Sequence, residues 1–423
     1  MILAAALFAS ATLTPCRVQE IDARCTTIEV RESSASARKI LLNVVVVPAT
    51  GPAKRDAIFV LAGGPGQPAT ALLGFATELF AAARKERDIV FLEQRGTGKS
   101  NGLFCDLGDD LADLMPLPKM VQCRDELMKR ADLRAYTTKD AVRDLESVRH
   151  ALGYRKVDFF GTSYGTRMAL EYTRRHRERV RAIVLKGVVA PSLRYTVDPA
   201  LATQASLERV EARAPALRGD LETALAHLPS SVTKDTLAVQ LRNGLHSIGG
   251  AEEVPKLVQR LAAGDWTPLI DAQRRYRAGL SKGLGLGMYF SVTCAEDIWR
   301  VSDAEAKRLT AGTLPGDYWH RQLARVCRIW PHAEPQREVA TPFRSRVPAL
   351  IVSGAYDPVT PPRFGDEVAR MFPNSRHIVV ANGSHSFERL EGCVDVMMAK
   401  FIEDPDPAKV DASCVAKIPA PRF

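Results

Sequence analysis

The chain has 423 residues, 46% hydrophobic and 25% charged, which excludes a disordered or fibrous protein; no apolar run reaches the length of a transmembrane helix. The net charge is +9, but 58 basic residues are interleaved with 49 acidic ones and form no stripe with aromatics, which argues against a nucleic-acid partner. The length fits about two domains, or one domain carrying a large insertion.

In chain order, Met1 to Phe8 is a short apolar run followed by Ala9-Ser10-Ala11. This predicts a secretory signal over residues 1–11 that lacks a charged leading segment. Pro15 directly before Cys16 disfavours a lipoprotein signal. The eight cysteines, Cys16, Cys25, Cys105, Cys123, Cys294, Cys327, Cys393 and Cys414, never form C-x-x-C, so zinc is not expected. An even count beside an export signal predicts disulfides. The cysteines fall into four neighbouring pairs, expected to be 16–25, 105–123, 294–327 and 393–414.

Apolar, β-branched runs at 40–47, 58–61, 89–92, 157–160, 183–185, 350–352 and 378–380 alternate with helical patterns. Fully apolar strands of this kind belong to a mostly parallel sheet covered on both faces, so the predicted class is α/β. The loop after the second run reads Gly63-Gly64-Pro65-Gly66. After the third run, Gly96-Thr97-Gly98-Lys99-Ser100 resembles a nucleotide loop, but that motif needs glycine at position 93, where Glu93 stands. A helix is predicted over 139–152, with Val142, Leu145, Val148 and Leu152 on one face, Thr138 as N-cap and Gly153 as stop.

The run Val157 to Phe160 leads into Gly161-Thr162-Ser163-Tyr164-Gly165, and a helix-like stretch follows. Strand, sharp turn and helix give G-x-S-x-G its meaning as a nucleophile elbow, so Ser163 is the expected nucleophile. The basic cluster Arg174 to Arg179 ends that helix, where cations complement the helix dipole. Strand signals vanish over 192–342, predicting a helical cap between two core segments, 12–191 and 343–423.

A serine nucleophile needs a base and a carboxylate that orients it, in the chain order Ser, Asp or Glu, His. Asp357 follows the run at 350–352, and His385 follows the last run within Asn382-Gly383-Ser384-His385-Ser386. The other seven histidines lie in charged helices, in the cap or before a strand. The expected oxyanion donors are the backbone N–H groups of Tyr164, next to the nucleophile, and Gly64 in the early glycine loop. Adjacent Glu296 and Asp297 in the cap are candidates for holding a substrate ammonium, with acids in the first turn of a helix as the alternative.

The blocks at 63–66, 94–98, 161–165 and 356–361, in this order, resemble secreted bacterial α/β-hydrolases of the tripeptidyl aminopeptidase type, related to proline iminopeptidases. The resemblance implies an α/β-hydrolase fold with a helical cap. It also implies a serine exopeptidase acting at free peptide N-termini without metal or cofactor, together with export and paired cysteines. Glu93 and Lys186 depart from the Asp customary at each place. An esterase or lipase with the same triad, and a non-catalytic binding protein on a hydrolase scaffold, are the competing expectations. Peptides are thus the expected partners, outside the cytoplasm or in the periplasm; the sequence is silent on oligomeric state.

Overall fold

Seven apolar runs become strands because β-branched and aromatic side chains fill both faces of a pleated surface. The computed structural model describes residues 11–108, 110–386 and 392–423; residues 1–10 of the expected signal lie outside them. Its strands are β1 (Thr14–Val18), β2 (Ile21–Arg31), β3 (Lys39–Val47), β4 (Asp56–Leu61), β5 (Ile89–Leu92), β6 (Lys156–Thr162), β7 (Val180–Lys186), β8 (Ala349–Gly354) and β9 (Ser375–Val380). They form one sheet in the order β1-β2-β3-β5-β4-β6-β7-β8-β9. Pairing from β5 onward is parallel, and the β1, β2, β3 edge is antiparallel.

The core helices are α1 (Leu73–Leu79), α2 (Leu117–Met128), α3 (Thr138–Ala151) and α4 (Tyr164–His176). Between β7 and β8 come α5 (Asp198–Glu211), α6 (Ala216–Ala226), α7 (Lys234–Gly244), α8 (Ile248–Ala262), α9 (Thr267–Gly283), α10 (Leu286–Glu296), α11 (Asp303–Leu309) and α12 (Tyr318–Cys327), with no intervening strand. The chain returns to the sheet with α13 (Pro362–Met371) and α14 (Val394–Glu403). Parallel neighbours require crossover helices, so both faces of the sheet are covered. One face buries Phe59 and Phe159 with α3 and α4; the other buries Phe91 and Phe160 with α1 and α14.

The edge strand β1 and its neighbour β2 carry no apolar run. β2 alternates exposed and partly buried positions, so its register comes from pairing with β3 rather than from its own pattern. The N-cap expectation at α3 also needs correcting by one residue. Thr137 accepts from the Asp140 N–H while the Asp140 carboxylate takes the Thr137 N–H, a reciprocal capping box. Thr138 instead turns inward, toward Glu296.

Four disulfides join Cys16 to Cys25, Cys105 to Cys123, Cys294 to Cys327 and Cys393 to Cys414. Each bond closes a short local loop, and the third ties α10 to α12 within the helical insertion.

The 93–98 loop is a structural hub. Arg95 is 1% exposed and donates twice to the Asp144 carboxylate at 2.7 Å, and also to the carbonyls of Glu32 and Ala135. It therefore joins β2, α3 and the loop after β5. Glu93 accepts from the Lys99 N–H and the Thr70 hydroxyl, and a Cβ at Gly98 would lie 2.4 Å from that carboxylate. The glycine is required by the acid that departs from the expected pattern. Replacing Asp144 by Ala leaves the Arg95 guanidinium buried without its counter-charge; urea unfolding is expected to show a loss of about 3–5 kcal/mol.

Candidate active site

Ser163 sits between the end of β6 and the first residue of α4, with φ 54° and ψ −123°. A non-glycine residue at positive φ is strained, and neighbouring contacts hold it there. Its N–H donates to the Lys186 carbonyl at 2.9 Å, and its carbonyl accepts from the Thr166 hydroxyl at 2.6 Å. Gly165 has no room for a side chain, since a Cβ would stand 2.1 Å from the Leu61 carbonyl oxygen. Gly161 is similarly constrained, at 2.8 Å from the Gly165 oxygen.

The loop after β4 lies directly against this turn. A Cβ on Gly63 would be 3.1 Å from the Ser163 Cβ, and Gly64 adopts φ +109°. Tyr164 opens α4, so its N–H has no acceptor within the helix. Gly64 lines a cavity that Ser163 also lines. Gly64 thus shares a cavity wall with Ser163, and Tyr164 stands at the positive end of a helix dipole.

His385 and Asp357 come from loops after β9 and β8 that are stitched together. Tyr356 N–H donates to the Gly383 carbonyl at 2.9 Å, and a Cβ on Gly354 would meet the Ser384 oxygen at 2.3 Å. His385 Nδ1 is 2.8 Å from Asp357 Oδ2. Asp357 also accepts from the N–H groups of Val359 and Thr360, each at 2.8 Å, and from the Thr360 hydroxyl at 2.7 Å. Burial opposes ionisation of this carboxyl, but His385 and the Thr360 donors outweigh it and hold the group below its ordinary value. With Asp357 ionised, Nδ1 carries the proton and Nε2 is left as the basic nitrogen.

The cavity measures about 1330 Å³ and contains Ser163, His385 and Gly64 in its wall. Leu284, Leu286, Tyr195, Tyr276, Tyr289 and Trp319 of the helical insertion supply much of its apolar surface. The insertion is docked by backbone contacts: Gly285 N–H donates to the Gly66 carbonyl at 2.9 Å, and a Cβ on Gly285 would lie 2.2 Å from the Gly96 oxygen. The glycine loops after β4 and β5 thus form a seat for the α9–α10 junction.

Glu296 and Asp297 do not line the cavity and require correction as ammonium ligands. Both are buried, at 0% and 2% exposure, and their oxygens are taken by protein donors. Arg167, on α4, makes bonds of 2.9 and 2.8 Å to Asp297 and one of 3.2 Å to Glu296; the Thr138 N–H and hydroxyl each approach Glu296 at 2.7 Å. Two carboxylates saturated by a guanidinium and two neutral donors have no capacity left for a substrate amine. Their effect is to bind α10 to α4.

Local sequence reading missed His246, just beyond the end of α7. Its ring stands edge-on to the His385 ring, with centroids 5.4 Å apart. Its carbonyl accepts from the Ser386 N–H at 2.6 Å. Burial, reinforced by the neighbouring His385, pushes His246 down to about 3, so it stays neutral beside the catalytic candidate. Nothing in its helical neighbours distinguishes it in sequence; only the cap's docking brings it to the site.

Residues 56–282 match the alpha/beta hydrolase fold family, and residues 313–414 match the TAP-like protein family. The first match spans more than half of the chain, which belongs to the α/β-hydrolase fold family. Serine protease Hip1 of Mycobacterium tuberculosis is 23% identical over 430 residues, covering 85% of this chain and 81% of that protein. Tripeptidyl aminopeptidase of Streptomyces lividans is 23% identical over 388 residues, covering 78% and 71% respectively. Proline iminopeptidase of Neisseria gonorrhoeae is 33% identical over 100 residues, covering 24% of each chain.

Two outcomes test the buried cluster. Arg167→Met removes the guanidinium that bonds both acids, leaving Arg300 at 3.7 Å from Asp297, and is expected to cost about 3–5 kcal/mol in denaturant unfolding. Burial raises the Glu296 carboxyl to about 7, against the pull of Arg167 and Thr138. A raised folded-state value means that the contribution of this group is fully present below its ordinary 4.5 and lost as pH rises through about 7. The stability of the wild type should therefore fall relative to Glu296→Gln across that window, as read by thermal melts at stepped pH.

Proposed function

We propose that the protein is a serine exopeptidase that hydrolyses peptide bonds near free N-termini through an acyl-enzyme. The carrying observation is the 2.8 Å bond between His385 and Asp357 in a cavity shared with Ser163 at its positive-φ turn. The similarity of most of the chain to a tripeptidyl aminopeptidase and a serine protease supports a peptide rather than another acyl substrate.

In this reading Ser163 Oγ attacks the scissile carbonyl carbon while His385 Nε2 takes the hydroxyl proton. Asp357 keeps the imidazole oriented and balances the imidazolium charge. The carbonyl oxygen becomes an oxyanion received by the N–H groups of Gly64 and Tyr164. Collapse breaks the C–N bond, and His385 passes its proton to the departing amine. Water then attacks the ester with His385 again as base, releasing the acid and restoring Ser163. The catalytic core is formed by 12–191 and 343–423, with 192–342 as a cap that sets which peptides enter. Carboxylates in the cavity wall that can face a substrate ammonium are Glu78, Asp395 and Glu403, in place of the buried Glu296 and Asp297.

Four disulfides support a location in an oxidising compartment, secreted or periplasmic. No described helix is long and apolar enough to cross a membrane.

Ser163→Ala is expected to fold normally and lose at least about a thousandfold in peptidyl-amide hydrolysis, together with covalent labelling by a fluorophosphonate. Free peptides should be cleaved and their N-acetylated counterparts should not. Equal cleavage of both would reject the exopeptidase reading, and turnover of short acyl esters without amides would favour an esterase using the same aromatic cavity.

A further inference from the structure

Buried arginines in this protein are matched by acids or by carbonyls: Arg95 by Asp144, Arg87 by Asp56, Arg149 by Glu146, Arg167 by Asp297, and Arg277 by the carbonyls of Leu107, Gly108 and Asp113. Arg242, on the last turn of α7, is different. It lines the same cavity as Ser163 and His385, yet no described carboxylate lies within ion-pair distance of it. Its Nε is buried without a hydrogen-bond partner among the described residues, and so is Nδ2 of the adjacent Asn243, which also lines the cavity. The guanidinium packs over the Trp319 ring, with Cζ 4.6 Å from the centroid.

Arg242 is part-buried, and a guanidinium whose Nε is shielded from water with no described counter-charge beside it is favoured by a ligand that supplies one. Contact with the Trp319 ring restricts where the guanidinium sits, and a restrained guanidinium is suited to receiving both oxygens of a carboxylate. Asn243 adds a neutral donor beside it. The helix is registered to the chemistry: the Arg242 carbonyl pairs with His246 Nδ1 at 2.8 Å, and His246 holds the Ser386 N–H next to the catalytic candidate. A group bound at Arg242 is therefore placed at a constant offset from the acyl centre.

Resting on the serine-peptidase reading, we propose that Arg242 and Asn243 form a carboxylate-binding subsite in the cap, so that preferred peptides carry a carboxylate at a set distance from the scissile bond. That carboxylate comes from an acidic side chain or from the C-terminus of a short peptide. Arg242 is a specificity-determining residue in this proposal and takes no part in proton transfer.

The test compares kcat/KM for matched peptides, Glu against Gln with the C-terminus amidated, and free against amidated C-terminus with Gln retained. The wild type is expected to favour the carboxylate member of one pair by about tenfold or more, roughly 1.4 kcal/mol, and which pair responds identifies the source. Arg242→Gln should bring that ratio to below about threefold through KM, and Arg242→Lys should keep part of it. Calorimetric binding of the same pairs to Ser163→Ala repeats the comparison without turnover. A ratio near one for both pairs in wild-type kinetics and in Ser163→Ala binding overturns the subsite, as does a ratio that persists in folded Arg242→Gln. Discrimination by Ser163→Ala alongside a wild type that neither hydrolyses peptides nor takes the fluorophosphonate would uphold the subsite and reject the peptidase reading.

Discussion

The close approach of the first turn of α4 to the end of β4 governs the site. Gly165 lies so near the Leu61 carbonyl that no side chain fits between them, and this contact drives Ser163 to positive φ at the top of the sheet. Because β4 and β6 are hydrogen-bonded neighbours, the loops leaving their ends are forced together, and Gly63 meets the serine. Ser163 and the Gly63–Gly64 turn are thereby set by the same packing event, at the helix end whose dipole favours negative charge. Parallel strands β7, β8 and β9 continue in order and deliver Asp357 and His385 on the same edge.

The cap is fastened to this edge by three kinds of interaction. Arg167 bonds the nucleophile helix to Glu296 and Asp297 at the end of α10. The glycine loops receive Gly285 by backbone contact. At the other side, Leu245 and His246 bond to the loop that carries His385. The wall that carries Ser163 and His385 and the helical insertion are consequently one mechanical unit, and acids that a linear reading assigns to substrate are consumed in holding it together.

The parts of the fold legible in the sequence are those whose cause is local. Apolar runs such as Val157 to Phe160 reveal strands buried on both faces, and G-x-S-x-G reveals a turn that only small flanking residues permit. Cysteine spacing pointed to short loops, which the disulfides close. The strands β1 and β2 were not legible, since a strand with one solvated face needs no apolar run. Thr138 looked like the cap of α3 because Thr137 and Thr138 are equivalent as residue types; the difference is that one meets Asp140 and the other meets Glu296.

By itself, then, the sequence determined the α/β class, the elbow at Ser163, the order of the acid and base candidates, and the place where strand patterning gives way to helices. Each of these depends on neighbours a few residues apart or on periodicity within one element. Tertiary structure alone decided that Glu296 and Asp297 are buried against Arg167, that His246 stands beside His385, and that Arg242 faces the cavity without a counter-charge among the described residues. Burial and charge pairing join residues from α4, α7, α10 and the β9 loop, and no spacing along the chain encodes which of them will meet.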